Sequence, residues 1–192
     1  MSRIRITGGK WRSRLIAVAD VRGLRPTPDR VRQTLFNWLG QDLTGQSCLD
    51  LFAGSGVLGF EAASRGAARV ALVEQDQGAF AALRQNAQAL GGEQLELIRS
   101  DALTFMQSAA KFAEADGPGQ GRRRRGRYDL VFLDPPYRQG WLARIEPLLQ
   151  HIANPGARLY VEAEHAIESL GEWASVRAGR AGQVYYHLLE RQ

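Results

Sequence analysis

Apolar and polar positions follow two different periods along this chain, and the change of period divides it. Over residues 3–18, Ile4, Ile6, Trp11, Leu15 and Ala17 flank a Gly8-Gly9 pair, which predicts a β-hairpin turning at the glycines. Its polar positions are mostly Arg and Lys, so one face is basic. Leu24-Arg25-Pro26-Thr27-Pro28 reads as extended, with helix entry near Thr27 or Pro28. Val31, Leu35, Phe36, Trp38 and Leu39 then fall mostly on one helical face. From Ser47 onward, short apolar runs alternate with helical patterns. Strands are predicted before Gly54 and at 70–74, 95–100, 128–133 and 158–162, with helices near 57–65, 77–90, 101–113, 139–152 and 164–170. Two last strands, 173–178 and 183–190, are joined by Gly179-Arg180-Ala181-Gly182. The expected fold is α/β: a mostly parallel seven-stranded sheet, helices on both faces, and a C-terminal antiparallel hairpin. Residues 1–40 form a basic N-terminal hairpin-and-helix extension, and residues 41–192 the main domain.

The bulk numbers narrow the class. At 192 residues and 44% hydrophobic content, one domain with a substantial core is expected. No apolar stretch nears the roughly 20 residues that span a bilayer, and Met1-Ser2-Arg3-Ile4-Arg5 has no apolar signal region. The chain therefore reads as soluble, cytoplasmic and, by default, monomeric. Cys48 is the only cysteine, so no internal disulfide forms, and it is expected to be a small buried apolar residue. His151, His165 and His187 show no ligand spacing, and no metal is predicted. Net charge is +5, unevenly spread. Residues 1–32 carry nine basic side chains against Asp20 and Asp29, a net +7, and Arg122–Arg125 with Arg127 add +5, leaving −7 elsewhere. A mildly acidic body with two basic patches is the pattern of a nucleic-acid enzyme. The low-complexity stretch 114–127 reads as a mobile Arg-rich loop.

Two motifs carry the chemistry. The strand around Leu49-Asp50-Leu51 runs into Phe52-Ala53-Gly54-Ser55-Gly56-Val57-Leu58-Gly59, and a helix follows. Glycines allow a sharp turn and close approach of a ligand to the backbone. Glu74 ends the next strand, 20 positions after Gly54, where an acid accepts from both hydroxyls of a ribose. A dinucleotide or S-adenosylmethionine satisfies that much. Asp50, placed to face an ammonium, and Asp101, placed to meet an adenine amine, favour the sulfonium donor, which carries no phosphate. Phe52, Ala53, Ser55, Gln75, Ala102 and Thr27 complete the expected donor site. The second motif, Asp134-Pro135-Pro136-Tyr137, follows the strand 128–133. Two prolines cannot continue a ladder, so they form a stiff turn between a carboxylate and an aromatic ring. That pairing suits a planar exocyclic amine: an acceptor for its protons and a plate for its base. Glycine turn and proline turn both sit at strand carboxyl ends, so one cleft holds donor and acceptor.

Gly8-Gly9-Lys10-Trp11-Arg12, the run Leu24 to Leu39, Asp50 to Ala62, Asp134 to Tyr137 and Gly182-Gln183-Val184-Tyr185-Tyr186 resemble the RsmD family nearly end to end. Those are bacterial 16S rRNA guanine-N2 methyltransferases. The resemblance implies a Rossmann-like class I fold, S-adenosylmethionine as cofactor, and one guanine of 16S rRNA as substrate in the 30S subunit or a late assembly intermediate. Asp134, Pro135, Pro136 and Tyr137 are then catalytic. Arg3, Arg5, Lys10, Arg12, Arg14, Arg25, Arg30 and Arg122, Arg123, Arg124, Arg125 are candidate RNA contacts, with Arg32 another candidate for the pocket rim. Two readings stay open beside it: an adenine-N6 methyltransferase acting on DNA, and a nucleic-acid-binding module with a vestigial donor site. If the arginine loop grips phosphate, deleting Arg122–Arg125 flattens the dependence of RNA affinity on salt. Filter binding across a salt series reads this, and an unchanged slope refutes it.

Overall fold

The computed structural model of the protein describes residues 2–21, 26–115 and 126–192. Strands β1 (Ser2–Arg5) and β2 (Leu15–Val18) pair antiparallel as a separate ribbon. Helix α1 (Asp29–Leu39) leads to the main sheet, built from β3 (Ser47–Asp50), β4 (Arg69–Glu74), β5 (Leu95–Arg99), β6 (Tyr128–Leu133), β7 (Ala153–Ala163), β8 (Ser169–Leu170), β9 (Trp173–Ala181) and β10 (Val184–Arg191). Its order is β5-β4-β3-β6-β7-β10-β9-β8. The first five strands in that order run parallel, and the last three attach antiparallel. The crossovers are α2 (Val57–Ser64), α3 (Gln77–Leu90), α4 (Ala102–Ala115) and a broken segment holding α5 (Trp141–Ile145) and α6 (Leu149–Ile152). No described helix is long and apolar enough to cross a membrane.

Side-chain alternation assigns the two faces. Cys48, Val70, Leu72, Leu130, Phe132 and Tyr160 join one core with the ribbon, α1, α2 and α3. Leu49, Ala71, Val73, Val131, Leu133, Leu159 and Val161 join the other, under α4, α5 and α6. With both faces covered, the central strands read as nearly continuous apolar runs.

Several expectations need correction. The main sheet has eight strands, not seven. The extra one, Ser169–Leu170, lies within 164–170, where a helix was predicted: Leu170 pairs with Trp173 across a turn at Gly171 (φ 57°). Ladder bonds and burial of Leu170 outweigh a short helical pattern. The single helix predicted over 139–152 breaks at a 3-10 turn, Glu146–Leu148, because Pro147 has no N–H to donate. The N-terminal hairpin does not turn tightly at the glycines. Its last ladder pair is Arg5 with Leu15, so a long loop intervenes and the far strand is shifted by one position. Ile16 and Val18 are buried where Leu15 and Ala17 were expected, and Leu15 is 46% exposed. A one-residue shift exchanges the faces of a strand.

The hairpin loop lies on α2. Lys10 N–H donates to the Ser64 carbonyl (2.6 Å) and Trp11 N–H to Ser64 Oγ (2.8 Å). Helix α2 is buried on every side, and its one acid, Glu61, is fully buried. Glu61 Oε1 accepts from Thr7 N–H (2.7 Å), Thr7 Oγ1 (2.8 Å) and Arg32 Nε (3.3 Å), while Oε2 pairs with Arg65. Arg32, proposed for the pocket rim, is instead 1% exposed in this ion pair. It also donates to the Thr27 carbonyl (2.7 Å) and the Arg5 carbonyl (2.7 Å). Replacing Glu61 by Ala leaves the buried Arg65 without its carboxylate partner and Arg32 with only Asp29 (3.0 Å) as a carboxylate partner. We expect a loss of about 3–5 kcal/mol, read as a lower urea midpoint at unchanged slope.

Candidate active site

The glycine turn is shaped by sterics as much as by ligand access. Gly56, the residue before α2, has φ 74°, and a side chain there would strike Leu83 and Phe60. At Gly59 a side chain would press on Leu72 and on the Asp50 carboxylate. With that space free, Gly59 N–H reaches Asp50 Oδ2 at 3.0 Å. Glu74 closes the turn from β4: Oε2 accepts from Gly54 N–H (2.8 Å) and Oε1 from Asp76 N–H (2.7 Å). Each oxygen keeps further acceptor capacity.

A cleft of about 1000 Å³ opens beyond the carboxyl ends of the parallel strands. It runs from the glycine turn (Phe52, Ala53, Gly54, Ser55) past Glu74, Gln75 and Ala102 to Asp134, Pro135, Pro136 and Tyr137, with Thr27 on its wall. These expected site residues therefore share one cavity, Asp50 included. Two others do not line it. Gly56 forms the bend behind the wall. Asp101 sits between the lining residues Ser100 and Ala102, just before α4, where its Oδ1 accepts from Thr104 N–H at 2.9 Å, and the Thr104 bonds hold its carboxyl below the ordinary range.

The alternation that sorts the cores also sorts the acids. Asp50 lies two positions after Cys48, Glu74 after Leu72, Asp134 after Phe132 and Glu162 after Tyr160, all on the same sheet face. Leu133 is in register with Val161, so Asp134 and Glu162 are the next adjacent pair. Glu162 is 3% exposed, and Oε1 accepts from Thr27 Oγ1 (2.9 Å) and Tyr160 OH (2.9 Å). Burial raises its pKa against those two hydrogen bonds. Burial likewise raises Asp134 well above the carboxylate range, with Glu162 and then Asp50 adding repulsion. Asp50 is pushed up to about 7, by burial first, with the Gly59 bond opposing and Glu74 and Glu162 adding. The Tyr137 hydroxyl, pushed to about 12 by burial and then by Asp134, Glu162 and Glu164, is a neutral phenol at pH 7. Among the described residues lining the cleft there are five acids and no Arg, Lys or His. That inventory suits a cationic ligand and opposes a phosphate-bearing dinucleotide.

Residues 4–190 match the family described as Conserved hypothetical protein 95. The chain belongs to this family, the RsmD family. It is 40% identical over 195 residues to the ribosomal RNA small subunit methyltransferase D of Escherichia coli K12, covering 98% of this chain and 90% of that one. The Haemophilus influenzae protein of the same name is 36% identical over 193 residues, covering 97% and 93%. Among solved structures, the putative methyltransferase yhhF from Escherichia coli superposes with a TM-score of 0.81 at 38% identity, over 100% and 99% of the two chains. An RNA methyltransferase from Salinibacter ruber in complex with S-adenosyl-L-homocysteine shares the fold, with a TM-score of 0.63 at 19% identity over 87% and 94%. This RsmD-family chain thus has the Rossmann-like methyltransferase fold.

Sequence reasoning missed two features of the site. Glu162 ends the fifth parallel strand, and the strand-end rule that selected Asp50, Glu74 and Asp134 would have selected it too. Trp141 lines the cleft edge-on to Phe52 (5.4 Å between centroids), with the Arg144 guanidinium over its ring at 4.3 Å. A bulky aromatic soon after the proline turn was its only sequence signal. A smaller recess of about 360 Å³ adjoins Tyr137 and is bounded by Arg138, Glu164, Arg180, Gln183 and Tyr185. Of the basic candidates, Arg3, Arg5, Lys10, Arg12, Arg14 and Arg30 are exposed. Arg25, Arg122–Arg125 and most of the predicted loop 114–127 lie outside the described residues.

The raised pKa of Asp50 has a measurable sign. The folded protein binds this proton more tightly than the unfolded chain, whose group titrates near 3.8. Its stabilising contribution is therefore present at low pH and is lost as pH rises from 3.8 to about 7. Asp50→Asn keeps an acceptor for Gly59 and removes the charge. In ligand-free urea unfolding we expect its stability relative to the parent to rise between pH 5 and pH 8, by on the order of 1–3 kcal/mol. A constant difference refutes this.

Proposed function

We propose that this protein transfers a methyl group from S-adenosyl-L-methionine to the exocyclic N2 of one guanine in 16S rRNA, within the 30S subunit or a late assembly intermediate. The observation that carries the reading is a single cleft joining the glycine turn to Asp134-Pro135-Pro136-Tyr137 and lined by acids without a basic residue among those described. The names of the relatives, ribosomal RNA small subunit methyltransferase D, supply the substrate class. The exposed arginines of the N-terminal extension suit phosphate contacts, and Val21 and Pro26–Pro28 bring that extension to the cleft wall.

The residues present fit the donor. Glu74 has acceptor capacity for ribose hydroxyls beyond its two backbone bonds, and Asp50 offers a buried carboxylate to an ammonium. Phe52 and Trp141 give an aromatic wall. When bound, the donor supplies a methyl group already activated by its sulfonium charge. The protein's own work is then placement. Asp134 and the Pro135 carbonyl accept the two hydrogens of the amine, which favours a pyramidal nitrogen with its lone pair free. The prolines fix that geometry by removing backbone freedom. Tyr137, 39% exposed at the mouth of the cleft, offers its ring to the extruded base. Asp134, with its pKa raised by burial and by Glu162, takes up the surplus proton more readily than an ordinary carboxylate.

Asp134→Ala should retain donor affinity by calorimetry and lose about 100-fold or more in turnover. Glu74→Ala should do the reverse, weakening donor binding. The deciding experiment treats 30S subunits from cells lacking this protein with enzyme and labelled donor, then maps the modified nucleotide. Label on an N2 of guanine in 16S rRNA is expected. Label only on added DNA would reject the reading.

A further inference from the structure

We propose that Glu162 reads the ring of the target base: its cleft-facing carboxylate oxygen accepts the N1–H of guanine while Asp134 beside it accepts the 2-amino group. The inference rests on the guanine reading above and names the residue that makes it selective.

Asp134 and Glu162 extend adjacent parallel strands from the register pair Leu133–Val161, on one sheet face. Neighbouring strands lie roughly 4.8 Å apart, so the two carboxyls stand side by side at the cleft. The two Glu162 oxygens differ. Oε1 accepts both the Thr27 and the Tyr160 hydroxyl at 2.9 Å, and Oε2 has no partner among the described residues. Both neighbours are themselves held: Arg32 Nη1 donates to the Thr27 carbonyl at 2.7 Å, and the Tyr160 ring packs edge-on to Phe132 at 6.3 Å. Glu162 is thus a rigid acceptor with one oxygen committed inward and one left for a ligand. A glutamate 3% exposed with no cation among the described cleft residues is costly to maintain. Anchoring Thr27 does not require a charge, since a glutamine would accept the same bonds.

Guanine presents two donors side by side on its Watson–Crick edge, N1–H and the 2-amine, and two adjacent acceptors match them. Adenine presents one amine beside the N1 lone pair, which would face the Glu162 oxygen. The pair therefore rewards guanine and repels adenine, selection by an unfavourable contact as well as a favourable one. Burial raises the Glu162 pKa, and the two hydroxyl donors on Oε1 oppose that rise.

The test uses full-length protein and 30S particles reconstituted with 16S rRNA carrying either guanine or 2-aminopurine at the modified nucleotide. 2-Aminopurine keeps the 2-amine but has an acceptor at N1. Wild type should prefer guanine by at least about 100-fold in kcat/KM. Glu162→Gln keeps the Thr27 and Tyr160 bonds and can turn an amide N–H to the base. It should lose about 10-fold or more on guanine and shrink the preference over 2-aminopurine at least about 10-fold, with donor affinity by calorimetry unchanged and no drop in unfolding midpoint. Glu162→Asp, an acceptor one methylene shorter, should retain the preference. Wild-type kcat/KM on guanine in Glu162→Gln, or equal use of both bases by wild type, overturns the assignment. The wild-type comparison stands even if the variant fails to fold. No labelling of guanine particles by wild type would instead overturn the guanine reading and this inference together.

Discussion

A fully buried carboxylate, Glu61, holds the two parts of this molecule in one arrangement. It sits on α2, the helix that follows the glycine turn, between Arg65 of the same segment and Arg32 of α1. Its remaining bonds go to Thr7 in the hairpin loop. The consequences run beyond docking. Arg32, once fixed, holds the Thr27 carbonyl, and the Thr27 hydroxyl reaches Glu162 in the cleft. A buried ion pair is weak as net stabilisation but demanding in geometry, because each misaligned partner strands a charge. An apolar contact here would tolerate sliding of the extension over α2, while this network does not.

The cleft follows the opposite logic. Asp50, Asp134 and Glu162 crowd together where no cation among the described lining residues compensates them. Their carboxyls respond by holding protons more tightly, Asp50 to about 7. Such a site destabilises the empty protein and is stabilised by a positively charged guest, so part of the folding free energy is exchanged for affinity. A sulfonium carrying an ammonium answers that need, and a phosphate ligand does not.

Charge is thus sorted by location rather than balanced. The N-terminal extension presents exposed arginines outside, and the strand ends gather acids inside. That sorting suits a polyanion held on the outside and a cationic donor held within. The recess bounded by Arg138, Arg180 and Tyr185 continues this boundary next to the proline turn.

The chain's local patterns determined a good deal by themselves. Apolar runs with helical intervals specify a mostly parallel sheet, since β3, β4 and β6 are buried on both faces and need apolar residues at nearly every position. The glycine turn and the proline turn were legible because backbone constraints are local: only glycine suits φ 74° at position 56, and no ladder continues through Pro135-Pro136. Pro147 carried the same kind of local signal for its helix break, and the prediction of one helix over 139–152 overlooked it. What tertiary structure decided are the long-range matters. The hairpin's register, and so the burial of Ile16 in place of Leu15, depends on how its loop seats on Ser64 of α2. Arg32 went into the core because it found Glu61, a partner 29 residues away that local sequence does not announce, whereas the Asp101 bond to Thr104 is a local helix cap. Glu162 meets Thr27 across 135 residues of chain. Periodicity tells which way a side chain points, but only packing of distant segments tells what it meets there, since that contact is settled by the free energy of the whole chain.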